Sequence, residues 1–254
     1  VPDPFPKSPD ARQARLKARA ADGRPLALAQ LAEEFGVSPD TIRRDLLALE
    51  AEGAVRRIRG GALPVLPPDV PMLDRVTTPR PEAEKLAAAV VPELADGMVL
   101  VLDGGTSVLQ LARTLPPMPC ALVVTPAPAV ALETLSRGIE TVLVGGKLSA
   151  FGGVATGQPA EAALEKFSAD LCVLGVCGLD AGFGLSADDL AEATLKRAMS
   201  AASVRTIALA GARKLGRRAR HQVLPVTEID LVITDADPGR TRAIQDVGVE
   251  LRHV

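Results

Sequence analysis

LAQLAEEFGVSPDTIRRDLLALEAEGAVRRIRGGAL, residues 28–63, carries the most local structural information in the chain. Leu28, Leu31, Ala32 and Phe35 recur at i, i+3, i+4 and i+7, which is one face of a short helix. Gly36 stops that helix, and two residues later Ser38 caps another, with Pro39 at its first position and Asp40 near its positive end. Ile42, Leu46 and Leu49 form the buried face of the second helix. Arg44 lies opposite, flanked by Thr41 and Arg43, and Gly53 ends the helix. Two helices joined by a tight glycine turn make a helix-turn-helix, whose second helix enters a major groove by its N-terminal end. Ser38, Pro39, Thr41, Arg43 and Arg44 are then the residues free to reach bases, and the arginine fork suits guanine or phosphate. Leu47 points partly outward and has no assigned role. The run after Gly53 reads as a short β-ribbon, or wing, bearing Arg56, Arg57 and Arg59, with Gly60 and Gly61 permitting a tight bend or close backbone approach. A plain helical hairpin with solvated arginines would look the same over 28–50. The turn, the cap, the paired arginines and the basic ribbon together favour DNA.

Outward from this stretch, the bulk numbers are permissive. The chain has 254 residues, 47% hydrophobic and 24% charged, which fits a globular protein of one large domain or two smaller ones. The net charge of −2 excludes a chain that binds nucleic acid by overall basicity. Residues 1–66 carry 11 Lys/Arg against 9 Asp/Glu and the remainder 18 against 22, so only the local Arg56, Arg57, Arg59 cluster is telling. Tyr and Trp are absent, so the core must be Val, Leu, Ile and Ala. Cys120, Cys172 and Cys177 form no metal or disulfide pattern, and buried free thiols in a reducing cytoplasm are expected. No metal and no cofactor is expected. No apolar run is long enough to span a membrane, and the Pro-rich Val1–Pro9 start reads as a loose arm rather than a signal segment.

Three regions follow: a winged helix-turn-helix over 10–63, a Pro-rich linker over 64–81, and an α/β domain over 82–254. The linker's prolines predict neither a regular helix nor a central strand. Beyond it, apolar runs at 98–102, 121–124, 141–144, 171–177, 204–210, 230–234 and 249–252 alternate with helical patterns at 82–95, 106–115, 127–136, 158–167, 188–202 and 238–247. Continuous apolar strands between helices predict a mostly parallel sheet covered on both faces.

Three segments of that domain have chemical potential. In VLDGGTSVLQLA a strand ends, Asp103-Gly104-Gly105 turns, and a helix opens at Thr106-Ser107, offering amides and hydroxyls to an anion. A tight β–α connection with a threonine cap would read identically. Lys147 follows a Gly-Gly pair at another strand end, and a solvated lysine is the plain alternative. Asp180 lies just past a strand, Glu192 and Lys196 stand four apart on one helix, where a simple ion pair is the plain reading, and Lys214 sits in a later strand-end loop. Open α/β sheets bind ligands at that edge.

The stretch 28–63 resembles the N-terminal domain of the DeoR family of bacterial repressors, most closely in the recognition-helix core Val37–Leu46 and in Gly60-Gly61-Ala62 at the end of the wing. The resemblance implies that Arg43 and Arg44 contact DNA, joined by Arg57, Arg59 and Gly60 on the wing. Arg59 stands where the family usually has His. Residues 82–252 resemble the family's sensor domain, which is similar in fold to ribose-5-phosphate isomerase. It implies that Asp103, Gly104, Gly105, Thr106 and Ser107 bind the phosphate or adjoining hydroxyls of an effector. Asp180, Glu192 and Lys214 would surround its sugar part, with Lys147 and Lys196 behind them. Thr125 keeps half of a usual Thr-Asn pair but Pro126 replaces the Asn, and Gly211 stands where the family usually has Asp, so two polar groups are gone.

The reading that follows is a cytoplasmic repressor of carbohydrate or related genes, a homodimer or higher oligomer on a double-stranded operator, modulated by a phosphorylated metabolite. Two other classes compete. One is a sugar-phosphate isomerase with a DNA-binding appendage, using Asp180, Glu192 and Lys214 for acid–base work, although His221 and His253, the only histidines, lie outside the candidate loops. The other is an architectural DNA binder whose α/β part only oligomerises.

Overall fold

A computed structural model describes residues 8–21, 25–64, 71–78 and 80–254. The chain divides into two compact units, Val1–Asp69 and Val70–Val254. Most of the expected N-terminal arm lies outside the described residues. Pro9, though, opens a helix whose Ala11 N–H bonds to Ser8 Oγ at 3.2 Å, so the arm's last residues form structure instead.

The first unit contains α1 (Pro9–Ala21), β1 (Leu26–Ala27), α2 (Leu28–Phe35), α3 (Pro39–Ala51), β2 (Val55–Ile58) and β3 (Gly61–Pro64). Gly36 takes the left-handed conformation at φ +60 and lets Val37 N–H reach back to the Ala32 carbonyl at 3.0 Å, which closes α2. Ser38 then caps α3, its Oγ accepting from Thr41 N–H at 3.1 Å. Leu16 and Ala20 of α1 join Leu31, Phe35, Ile42, Leu46, Leu49, Val55 and Ala62 in one core. The wing is the β2–β3 hairpin, with β1 added antiparallel to β3. Gly61 is required by that addition, since a β-carbon there would overlap the Leu26 carbonyl. Its close approach is therefore to β1. Gly60 turns the tip at φ +88 with open space around it.

The second unit contains α4 (Met72–Val76), α5 (Pro81–Ala88), β4 (Val99–Leu102), α6 (Thr106–Thr114), β5 (Leu122–Thr125), α7 (Pro128–Ser136), β6 (Glu140–Leu143), β7 (Lys147–Leu148), β8 (Ala155–Thr156), α8 (Gln158–Leu164), β9 (Ala169–Gly175), β10 (Gly178–Asp180), β11 (Gly184–Ala187), α9 (Leu190–Ala201), β12 (Ser203–Leu209), β13 (His221–Leu224), β14 (Leu231–Thr234), α10 (Pro238–Gln245) and β15 (Glu250–His253). Seven strands form one sheet in the order β6-β5-β4-β9-β12-β14-β15, and every pairing is parallel. All seven apolar runs read from the sequence are in it. The residues of the inner strands are mostly buried on both faces, as a parallel sheet between helices demands, whereas the edge strands β6 and β15 are half-buried to exposed. The strands β10-β11-β13 and β7-β8 form two small antiparallel sheets. The expected linker is corrected in one part: Met72–Val76 is a helix and Met72 is buried in the second unit's core, because this segment falls between Pro71 and Pro79 and contains no proline of its own. The expectation for the thiols is corrected in one position as well, since Cys172 is buried and Cys177 half-buried but Cys120 is exposed; all three are free.

Candidate functional site

In the first unit, Ser38, Pro39, Arg43, Arg44, Arg57, Arg59 and Gly60 are exposed and Thr41 is half-buried. The Ser38 and Thr41 hydroxyls lie 2.9 Å apart within the cap. Arg43 folds back onto Asp40, whereas Arg44 keeps 82% of its side chain exposed and is 3.8 Å from the same carboxylate. Arg57 is tied down: its N–H and Nε donate to Glu50 at 2.9 and 2.6 Å. The Arg57 backbone N–H, and after it the guanidinium, holds the Glu50 carboxyl below its ordinary range. This pair fastens β2 to α3, so wing and recognition helix are held together by a side chain expected only on DNA. Leu47 stays 44% exposed and nothing in the structure explains it.

Sequence reasoning missed the residue pair beneath α3. Asp45 is buried on the Ile42–Leu46–Leu49 face and receives Arg12 of α1, with Nε to Oδ2 at 2.5 Å and Nη2 to Oδ1 at 3.3 Å. A carboxylate three residues after Ile42 and four before Leu49 was a legible signal. Its partner, 33 residues away, was not.

The second unit's sheet changes direction between β4 and β9. From β4 the chain adds β5 and β6 on one side, then crosses back to lay β9 on the other. Such a switch point leaves a crevice at the strands' C-terminal ends, where open α/β sheets take ligands. The Asp103–Ser107 turn leaves β4 there and leads directly into α6. Gly105, at φ +94, is the N-cap of α6 and provides no side-chain cap bond to its first turn. Gly105, Thr106 and Ser107 are half-buried.

Asp103 itself is only 1% exposed. Its Oδ2 pairs with Lys196 of α9 and accepts Gly175 N–H at 2.9 Å, while Lys196 Nζ donates to the Gly175 carbonyl at 3.0 Å. The carboxylate thus ties β4, β9 and α9 together beneath the turn. Burial pushes the Lys196 ammonium down, but Asp103, Cys177 and Glu192 outweigh it and hold the group above the ordinary lysine range. Burial, with Asp103 adding to it, pushes the neighbouring Cys172 thiol well up. Lys196, ranked behind the other candidates in the sequence, is structurally central. The plain Glu192–Lys196 pairing gives way: Glu192, 5% exposed, instead accepts from Ser149 Oγ at 2.7 Å.

The remaining candidates are distributed unevenly. Gly104 is buried, and a β-carbon on it would overlap Val154. Thr125 is buried and its hydroxyl accepts Ala127 N–H at 3.1 Å. Pro126, where the sequence lost an amide, uses its carbonyl to hold Ala155 N–H at 2.8 Å. Lys147 is exposed on β7. Asp180 closes a turn through Gly182 and Phe183 N–H and pairs with Arg218 at 2.9 Å. Lys214 is half-buried in the loop after β12. In that loop the Asp235 carboxylate takes Ala212 N–H at 2.6 Å beside Gly211, so a carboxylate from the neighbouring strand end stands near the position of the missing one.

Known proteins agree with this two-part layout. Residues 12–65 match the DeoR-like helix-turn-helix domain and residues 80–236 the DeoR C-terminal sensor domain. The HTH-type transcriptional regulator GlpR of Haloferax volcanii is 33% identical, covering 95% of this chain and 96% of that protein. The glycerol-3-phosphate regulon repressor of Escherichia coli is 32% identical over 82% of this chain and 84% of its own length. Among solved structures, a D-ribose-5-phosphate isomerase aligns with a TM-score of 0.40 at 15% identity over 52% of each chain. No described helix is long and apolar enough to cross a membrane.

Proposed function

The chain belongs to the DeoR family of transcriptional regulators, and from that premise we propose that a phosphorylated sugar or similar small anion controls its hold on DNA. It is a DNA-binding transcriptional regulator and not an enzyme. The genes we assign to it are those of carbohydrate or related metabolism, and because one relative is named for a glycerol-3-phosphate regulon we choose a three-carbon phosphate among the first effectors to try. It works in the cytoplasm as a homo-oligomer, since one short reading helix per chain gains specificity only on repeated half-sites. The observation that carries the effector reading is the switch-point turn. There a helix opens with no side-chain cap, next to the Thr106 and Ser107 hydroxyls. Asp103 and Lys196 hold the turn from below.

Gly105 makes a poor probe, because at φ +94 and ψ 164 any side chain strains the backbone itself. The hydroxyls are cleaner. Thr106→Val with Ser107→Ala should leave the unliganded melting point within a degree or two and weaken binding of the effector about ten-fold or more, as loss of hydrogen bonds to a charged group does. A thermal-shift series with sn-glycerol 3-phosphate, glucose 6-phosphate and fructose 6-phosphate reads this directly. Full stabilisation of the double variant by a ligand that stabilises the parent would move the site elsewhere.

On DNA, Arg44 is the reading residue and Arg43 its partner. Arg44→Ala should cost about 1–3 kcal/mol of specific affinity while leaving non-specific binding almost unchanged. Equal losses on every sequence would make Arg44 a phosphate contact, and no loss would remove it from the interface. The salt dependence of the same titrations separates the two roles.

A further inference from the structure

The loop 149–154 contacts both the switch-point turn and α4. Val154 packs on Gly104 of the switch-point turn so closely that a β-carbon there would overlap it. Gly152 lies against the Glu192 carboxylate, again leaving no room for a β-carbon, and its N–H donates to Ser149 Oγ at 3.0 Å. Just after the loop, Ala155 is held by Pro126, at the end of the neighbouring strand. On its other side the loop is gripped by α4. Met72 N–H donates to the Phe151 carbonyl at 2.9 Å, and Arg75 Nη2 reaches the same oxygen at 3.2 Å. The Arg75 guanidinium also lies 5.4 Å from the Phe151 ring centre, and a β-carbon on Gly153 would stand 2.9 Å from Met72 Cγ. In sequence, α4 is the first described element after the segment that joins the second unit to the DNA-binding one.

We propose that the 149–154 loop is the relay of this regulator: ligand at the switch-point turn acts on Val154 and Gly152, and the loop passes the change to α4 through Phe151 and Met72. The inference rests on the switch-point reading of the ligand site above. Glycines at 104, 152 and 153 let the Val154 side chain, the Glu192 carboxylate and the Met72 side chain lie directly on backbone, so the turn, the loop and α4 meet in close contact with no space left between them. A ligand that binds better to one loop position than the other then shifts α4 by that difference in affinity. Met72 and Phe151 are positioning residues here, since neither touches the ligand.

The test uses the full chain and begins without ligand. Met72→Ala should speed amide hydrogen exchange about five-fold or more at both 150–155 and 103–107, with the remaining peptides of the second unit little changed. Leu73→Ala, at an exposed neighbouring position, should change neither segment. If Met72→Ala accelerates exchange everywhere, Phe151→Ala provides the same reading without touching α4's core contact. Unchanged exchange at 103–107 in both variants overturns the relay. The second stage adds sn-glycerol 3-phosphate, glucose 6-phosphate or fructose 6-phosphate and DNA selected with the parent protein. Where a probe alters the parent's DNA affinity, Phe151→Ala should bind that probe within about three-fold of the parent yet lose most of the effect on DNA. Retention of the full effect also overturns the relay. A parent that responds to none of the probes counts against the proposed ligand class, and the exchange measurement still decides the relay.

Discussion

Lys196→Met is expected to destabilise the second unit by about 3–5 kcal/mol, because it leaves the Asp103 carboxylate buried with one backbone N–H as its remaining donor. That is a large part of a typical domain's stability, so denaturant unfolding should show a markedly earlier transition. Adding Asp103→Leu to Lys196→Met should recover much of the loss, since a buried pair replaced by apolar groups no longer leaves a charge stranded. Alkaline titration gives the same pair a second signature. The folded-state pKa of Lys196 is raised, so its contribution is fully present below the ordinary value of 10.5 and is lost as pH rises beyond it, through the higher folded value. The parent should therefore lose stability above pH 10.5 more steeply than Lys196→Met. A variant as stable as the parent, or an unchanged alkaline limb, would contradict the role given to the pair.

Asp45→Ala is expected to have its effect in the other unit, at about 3–5 kcal/mol, by leaving Arg12 buried beneath the recognition helix without its carboxylate. A head this small buries too little surface to absorb such a loss. DNA affinity should collapse, while ligand-induced stabilisation of the second unit, which has its own core, survives. DNA binding within two-fold of the parent would show that α1 is not needed to hold α3 in place.

What the sequence made legible was what is locally encoded. Gly36, Ser38 and Pro39 fix the turn between α2 and α3 through their own conformational limits, and the structure reproduces it. The inner parallel strands were legible because strands covered on both faces are nearly unbroken apolar runs, and the edge strands β6 and β15 by their place in the strand–helix alternation. By contrast, β7, β8, β10, β11 and β13 are two to four residues long, rich in glycine or polar groups, and defined only by pairing with distant partners. The helix α4 was hidden by the prolines that bracket it.

In the candidate site, the Asp103–Ser107 turn was readable as a strand-glycine-helix order, but the function of Asp103 within it was not. Lys196 stands 93 residues further on, and nothing short of the fold brings them together. The same holds for Glu192, whose nearest charged neighbour on the helix is Lys196 but whose actual partner is Ser149. Arg57 shows the converse: its type and place in a basic wing indicated DNA, and the structure gives it a second task at Glu50. The loss of Asn at Pro126 and of Asp at Gly211 read as gaps in the sequence. In the structure the Pro126 carbonyl anchors the 149–154 loop's exit, and Asp235 stands beside Gly211.

The most direct test of the regulator as a switch is calorimetry of effector binding to the full chain with and without saturating operator DNA. Coupling between the sites is reciprocal, so an effector that weakens DNA binding by a given factor must itself bind more weakly, by the same factor, once DNA is in place. The account predicts a difference of about five-fold or more between the two titrations. Identical affinities in both, for an effector that demonstrably binds, would contradict it, because the second unit would then hold a ligand without informing the first.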